Sequence, residues 1–285
     1  MSIDSSTLTL FPSLASGSSD SLLSLLNTSG GSGSVGGDPL QALRSAETGK
    51  TADVARTAAD PQVKRDLDAF SAAVAKAKTP ADLLNNPQFL KVLLTANGLG
   101  DQASFTALAR KALLSDPSKP NALANQLADT RWKSVAETYQ FATKGLAVIQ
   151  GASVLSTVKG AYAEVLWRQS LDVATPGPSN AISFRDRAAT VTSVDQILGD
   201  STLRTVVTTA LGIPQELGIP QEIAFQQLGA QEKAITSQLD ISQLKKPHFV
   251  EALVQRYLLA AQGTSSGAQS DTLDSLAVQA TGLVV

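Results

Sequence analysis

Few residues in this chain have side chains suited to catalysis. His248 is the only histidine, and there is no cysteine. A Ser-His-Asp constellation needs a histidine oriented by an acid, with a serine in reach. His248 instead follows Lys245-Lys246-Pro247 beside Phe249, at an expected helix start. A protonated ring there would oppose the positive helix end, so a surface or capping role is expected. One histidine and no thiol cannot build a transition-metal site of the usual kind. The lack of cysteine also removes disulfides, thiolate nucleophiles and iron–sulfur ligands. No catalytic, cofactor-binding or metal-binding residue is expected, and the chain reads as non-enzymatic.

The other candidates have ordinary explanations. The glycines of residues 30–37 follow no strand and carry no Lys-Ser/Thr pair at the spacing that a phosphate-binding loop requires. Asp66 with Asp68, and Asp195 with Asp200, offer carboxylate pairs for glycoside-type chemistry. They fit helix capping and solvated faces equally well. Arg131-Trp132 and Arg256-Tyr257 each set a guanidinium beside an aromatic ring. The plainer reading is a packed ring and an ion-paired arginine. The alternative is a pair of anchors for a protein partner, since Arg, Trp and Tyr dominate interface hot spots.

The composition narrows the classes further. Apolar residues make up 43% of the 285, charged residues 17%, and the net charge is −2. This is a globular composition without a global positive field, so nucleic acid is not an expected partner. Aromatics at 5% leave few platforms for stacking bases. No apolar run approaches the roughly 20 residues that span a bilayer. Met1 to Leu10 contains no Lys or Arg, unlike the basic start of a secretory signal. With no secretory signal expected, a cytoplasmic location is one expectation.

Helices must position all of these residues. Asp38-Pro39, Asp60-Pro61, Thr79-Pro80 and Asn86-Pro87 each place an acceptor at N-cap and proline at the first helical position. Strands would not tolerate that proline density. Apolar residues recur at helical steps in Val63/Leu67/Phe70/Val74, Phe105/Leu108/Ala109/Ala112 and Trp132/Val135/Ala136/Tyr139. The same spacing appears in Val158/Tyr162/Val165/Leu166, within a helix of about 20 residues, and in Val250/Leu253/Val254/Tyr257/Leu258, in a helix that stops at Gly263. The fold class expected is all-α: a multi-helix bundle of short to medium helices with disordered termini.

Residues 1–37 read as a flexible Gly/Ser-rich arm. Within it, Leu22, Leu23, Leu25 and Leu26 could form a short amphipathic turn, either docked on something or frayed. Leu22, Leu25 and Leu26 join Arg131, Trp132, Arg256 and Tyr257 as candidate partner contacts. Residues 38–263 form the helical domain, with 38–174 and 179–263 as candidate sub-units either side of Thr175-Pro-Gly-Pro-Ser179. Residues 264–285 are a flexible tail with a short apolar segment, Leu273 to Val285. Asp82 to Thr95 can be laid over Asp195 to Thr208, each soon followed by glycine, Gly98 and Gly212. The overlay suggests two pseudo-repeated halves. Gly212-Ile-Pro-Gln-Glu also recurs at once as Gly218-Ile-Pro-Gln-Glu, lengthening one loop.

Asp82-Leu-Leu, Phe89-Leu90, Gly98-Leu99-Gly100 and Leu123-Ala-Asn-Gln-Leu-Ala-Asp-Thr-Arg131-Trp132 resemble the bacterial domain-of-unknown-function family 1217. So do Ala181-Ile-Ser-Phe184-Arg, Val194 to Asp200, Leu211-Gly-Ile-Pro214, Gln231-Glu, and Phe249 through Arg256-Tyr-Leu258. The resemblance covers about residues 38 to 262. The chain departs from it in the doubled Gly-Ile-Pro-Gln-Glu and in having Trp132 in place of tyrosine. It implies an all-helical fold, no assigned enzymatic activity, no catalytic residues to carry over, and occurrence among flagellar genes. The expected function is a structural or interaction protein associated with the flagellum, in assembly, export or motility, with a protein partner drawn from flagellar components. A helical protein-binding module or chaperone-like adaptor with no flagellar tie is the alternative.

Overall fold

The four acceptor–proline pairs open the first four helices: α1 (Pro39–Ala59), α2 (Pro61–Lys76), α3 (Pro80–Leu84) and α4 (Pro87–Ala96). Asp38 accepts from the backbone N–H of Leu40, Asp60 from Gln62 and Val63, and Asn86 from Gln88 and Phe89. Thr79 and Asp82 form a reciprocal capping box. Each cap satisfies donors that have no intrahelical partner, and proline gives up none of those bonds.

The computed structural model describes residues 38–214 and 221–262, all within one unit. A 3₁₀ turn (Gly100–Gln102) follows α4, then α5 (Thr106–Leu113), α6 (Leu123–Gln126), α7 (Arg131–Tyr139), α8 (Phe141–Lys144) and α9 (Ala152–Ala174). Next come α10 (Pro178–Ala188), α11 (Val194–Gly199), α12 (Ser201–Leu211), α13 (Gln221–Gln238) and a second 3₁₀ turn (Ile241–Lys245). The last described helix, α14, runs over 247–262. No strand occurs among the described residues, so the fold is all-α. No helix of the described chain is long and apolar enough to cross a membrane. The arm 1–37 with its leucines, the tail 264–285, the stop at Gly263 and most of the doubled Gly-Ile-Pro-Gln-Glu lie outside the described residues.

The buried apolar side chains form two clusters. The first gathers α2 to α5, α7 and the first half of α9. Phe70 stacks on Phe89 at 5.2 Å, Phe141 meets Phe89 edge-on, and Tyr139 stacks on Phe141. The second gathers α10 to α14 with Leu43 and Ala46 of α1. Helix α9 serves both, burying Val158 and Tyr162 in the first cluster and Trp167 in the second. Its 23 residues make a rod of roughly 35 Å at 1.5 Å per residue.

Most of the expected stripes face these cores. Phe105 does not. It stands at the N-cap of α5 and is 56% exposed. Its backbone lies outside the helix, so a helical period does not govern where its ring points. The Thr175–Ser179 stretch is a tight turn between α9 and α10. Gly177 takes φ +112 there, and a Cβ on it would stand 3.0 Å from Leu258.

The internal overlay has a structural counterpart, shifted by one residue from the register of sequence identities. Caps set the register: Thr79 matches Ser193, Asn86 matches Asp200 and Gly98 matches Gly212. Both glycines sit in the left-handed region, at φ +75 and +67. Each closes its helix with the same pair of bonds, Gly98 to Thr95 with Leu99 to Leu94, and Gly212 to Thr209 with Ile213 to Thr208. This is the Schellman arrangement. In this register Val92 and Leu93 fall on Val206 and Val207, all fully buried.

Candidate functional site

Arg131 is the first residue of α7 and is 7% exposed. Burying a guanidinium is tolerable only when its charge and donors are met. Asp129 meets Nε at 2.8 Å and Nη2 at 2.6 Å. Asp101, on the 3₁₀ turn after α4, meets Nη2 at 3.2 Å. The carbonyl of Gly98 accepts from Nη1. Asp200 then reaches in from the other half of the chain, its Oδ2 3.4 Å from Arg131 Nε. Its Oδ1 caps α12 by accepting from Thr202 and Leu203.

A second guanidinium completes the network. Arg187, on the last turn of α10, donates to Asp200 Oδ2 and, through Nε, to the carbonyl of Ser183. Ser201 Oγ donates to Asp101 at 2.8 Å. The segments come close enough because residue 199 is glycine. A Cβ there would lie 2.6 Å from the carbonyl carbon of Ala128. Arg131 precedes Trp132 of the first core, and Asp200 lies three residues before Leu203 of the second. The network is therefore an ionic clasp between the two cores.

The electrostatics follow from burial and neighbours. Burial disfavours the Arg131 cation, but the hydrogen bonds of Asp129 and the charges of Asp200, Asp129 and Asp101 outweigh it and raise its pKa. Burial would raise Asp101, but Arg131's charge and the Gln102, Ser201 and Arg131 hydrogen bonds hold it below the ordinary carboxylate range. Arg187 is lowered, by burial first and then by the nearby Arg131 cation, with Asp200 opposing. An acid that donates protons near neutrality needs a raised pKa. Asp101 is shifted the other way.

Beside the clasp lies a cleft of about 500 Å³ between α9 and α10, with Asp101, Arg187 and Ser201 among its lining residues. Arg168 on α9 donates to Glu164 and stands 2.7 Å from Asp186 of α10. Lys50 also reaches Glu164, at 2.7 Å. Asp172, one turn further along α9, accepts from the Ser179 N–H at 2.9 Å. It thereby supplies the cap that Gly177, at the N-cap of α10, has no side chain to provide. Burial raises the pKa of Asp172 against the opposing backbone N–H groups of Ser179 and Gly177.

Several expected site residues sit elsewhere than a partner surface. Trp132 and Tyr257 are 1% and 3% exposed and belong to the cores, and Arg131 faces inward. The partner-anchor alternative fails for these three; the packing and ion-pairing reading describes them. Arg256 is exposed. Leu22, Leu25 and Leu26 lie outside the described residues. His248 is exposed. Asp66 is neither a cap nor a solvated residue. It is buried and accepts from Tyr162 at 2.6 Å, Lys91 at 2.7 Å and Gln62 at 3.3 Å. Asp68 is exposed. Among the described residues no group of three or more His, Asp or Glu side chains is placed to hold a metal ion.

Comparison with known proteins bears on the fold and the family. No curated protein matches the chain. A crystal structure of a protein from Agrobacterium tumefaciens, solved by a structural-genomics consortium, superimposes with a TM-score of 0.62 at 24% identity. It covers 80% of this chain and 96% of that one, a likeness of fold. The family model described as "Protein of unknown function (DUF1217)" matches residues 96–250. Asp82-Leu-Leu and Phe89-Leu90 precede that span. Every residue of the clasp lies within it. The match takes in more than half of the sequence, and the chain belongs to the DUF1217 family.

Proposed function

We propose that this protein is a non-enzymatic structural or interaction component of the bacterial flagellar system, acting in assembly, export or motility. The clasp is the observation that carries the non-enzymatic part. Its five charged side chains satisfy one another and tie two cores together, an arrangement suited to holding a shape. The flagellar part rests on the family resemblance and on a composition free of cysteine. Deletion of the gene tests it. Reduced swimming or incomplete filaments, restored by the gene in trans, is the expected result. Wild-type swimming and normal filaments would overturn it.

A helical protein-binding module without a flagellar tie is the second reading. Phe105 and Leu114, exposed at the two ends of α5, favour it. It expects a partner, identified by crosslinking through these positions, that is no flagellar component and is lost in Phe105→Ser.

A further inference from the structure

We propose that the cleft between α9 and α10 is a binding site for a small organic cation, an aliphatic amine or guanidine, whose charged end pairs with the Asp172 carboxylate. The argument begins with charge. Four carboxylates and two guanidiniums line the cleft. Both guanidiniums are already matched, Arg168 by Glu164 and Asp186, and Arg187 by Asp200. Asp101 is matched by Arg131. Among the described residues Asp172 is the one charged group of the lining that meets no opposite charge. It holds only backbone N–H groups. A carboxylate kept partly from water without a counter-charge favours a cationic guest.

The rest of the lining suits a chain-like guest. Ala161 and Val165 precede Arg168 and Asp172 along one face of α9 and offer apolar contact to methylenes. Asn180 donates to Tyr257 Oη at 3.2 Å, which leaves its amide oxygen as an acceptor among the residues that line the cleft. The volume, about 500 Å³, falls within the range of small-molecule sites. A bare metal ion is the poorer guest, because no metal-ligating group of three side chains is present among the described residues. The site stands or falls independently of the flagellar reading.

Calorimetric titration of the full chain with agmatine and with putrescine tests the proposal, with succinate and sodium chloride at equal ionic strength as controls. The expected result is saturable binding of at least one cation and none of succinate. Asp172→Asn keeps an acceptor for Ser179 and should weaken binding at least tenfold. Val165→Lys places an ammonium in the cleft and should abolish binding. The proposal is overturned if neither cation saturates, if sodium chloride gives the same heats, or if Asp172→Asn binds as wild type. If Asp172→Asn does not fold, undiminished binding by Val165→Lys overturns it.

Discussion

Arg131 Nε lies 3.4 Å from Asp200 Oδ2, with both side chains more than nine-tenths buried. The two residues come from different halves of the chain, so their attraction acts between the cores. Removing one partner of a buried pair leaves an uncompensated charge, which costs about 3–5 kcal/mol. Arg131→Met strands Asp129 and Asp200 together and should lose that much stability in urea unfolding. Arg187→Met leaves Asp200 with Arg131 still in place, so it should cost less. Equal losses would mean that Arg131 is no more central than its neighbour.

The close approach at Gly199 makes a second prediction. Gly199→Ala must push residues 128–129 away, because its Cβ would stand 2.6 Å from backbone. Gly212→Ala meets nothing within 4 Å but must hold φ +67, a strain of about 1–2 kcal/mol. Gly199→Ala should be the more destabilising of the two, measured by thermal unfolding, and should also loosen the clasp. The reverse order would show that the approach of these segments is not tight.

Tyr162 and Asp66 provide a third. The phenol donates to a buried carboxylate at 2.6 Å, and burial followed by that hydrogen bond pushes the tyrosine pKa up. Tyr162→Phe keeps the ring in the first core and removes only the donor. Leaving part of Asp66 unsatisfied should cost about 1–3 kcal/mol. Lys91→Met, which removes an outer and half-exposed partner, should cost less.

Stability should depend on acid in a direction set by these carboxylates. Asp101 and Asp66 have folded pKa values below the ordinary range; Arg131's charge at the first and Lys91 and Tyr162 at the second outweigh burial. The unfolded chain therefore takes up protons first as pH falls. Their stabilisation is complete above about pH 4 and drains away as pH drops through the folded values. Asp172 works oppositely, since burial raises its folded value. In urea titrations across pH, Asp101→Asn should be less stable than wild type at pH 7, and the gap should shrink below about pH 4. A gap independent of pH would remove the electrostatic account of Asp101.

How far the sequence could foretell all this depends on the range of each interaction. The caps at Asp38, Asp60, Thr79 and Asn86 were legible because cap and receiving amide lie within three residues. The helical stripes were legible because each repeats locally. The overlay of Asp82 to Thr95 on Asp195 to Thr208 was legible, but the one-residue offset at which their caps and C-terminal glycines correspond was not, because identities mark Asp and Thr rather than helix ends. The clasp was hidden. Asp200 is an N-cap by every local sign, and nothing near it in sequence says that its second oxygen meets Arg131. Asp66 lies on a helix among charged residues, and only Tyr162 and Lys91, far along the chain, explain its burial. A proline-rich turn at 175–179 says that α9 ends. It does not say that α10 folds back along it to form a cleft.

The two tryptophans, Trp132 in the first core and Trp167 in the second, allow the coupling of the cores to be read directly. Equilibrium urea unfolding of Trp132→Phe and Trp167→Phe, each followed by the fluorescence of the remaining indole, should give coincident transitions with Arg131 present. Adding Arg131→Met to each should lower both midpoints or pull them apart. If Arg131→Met leaves both midpoints where they were, the clasp does not join the cores.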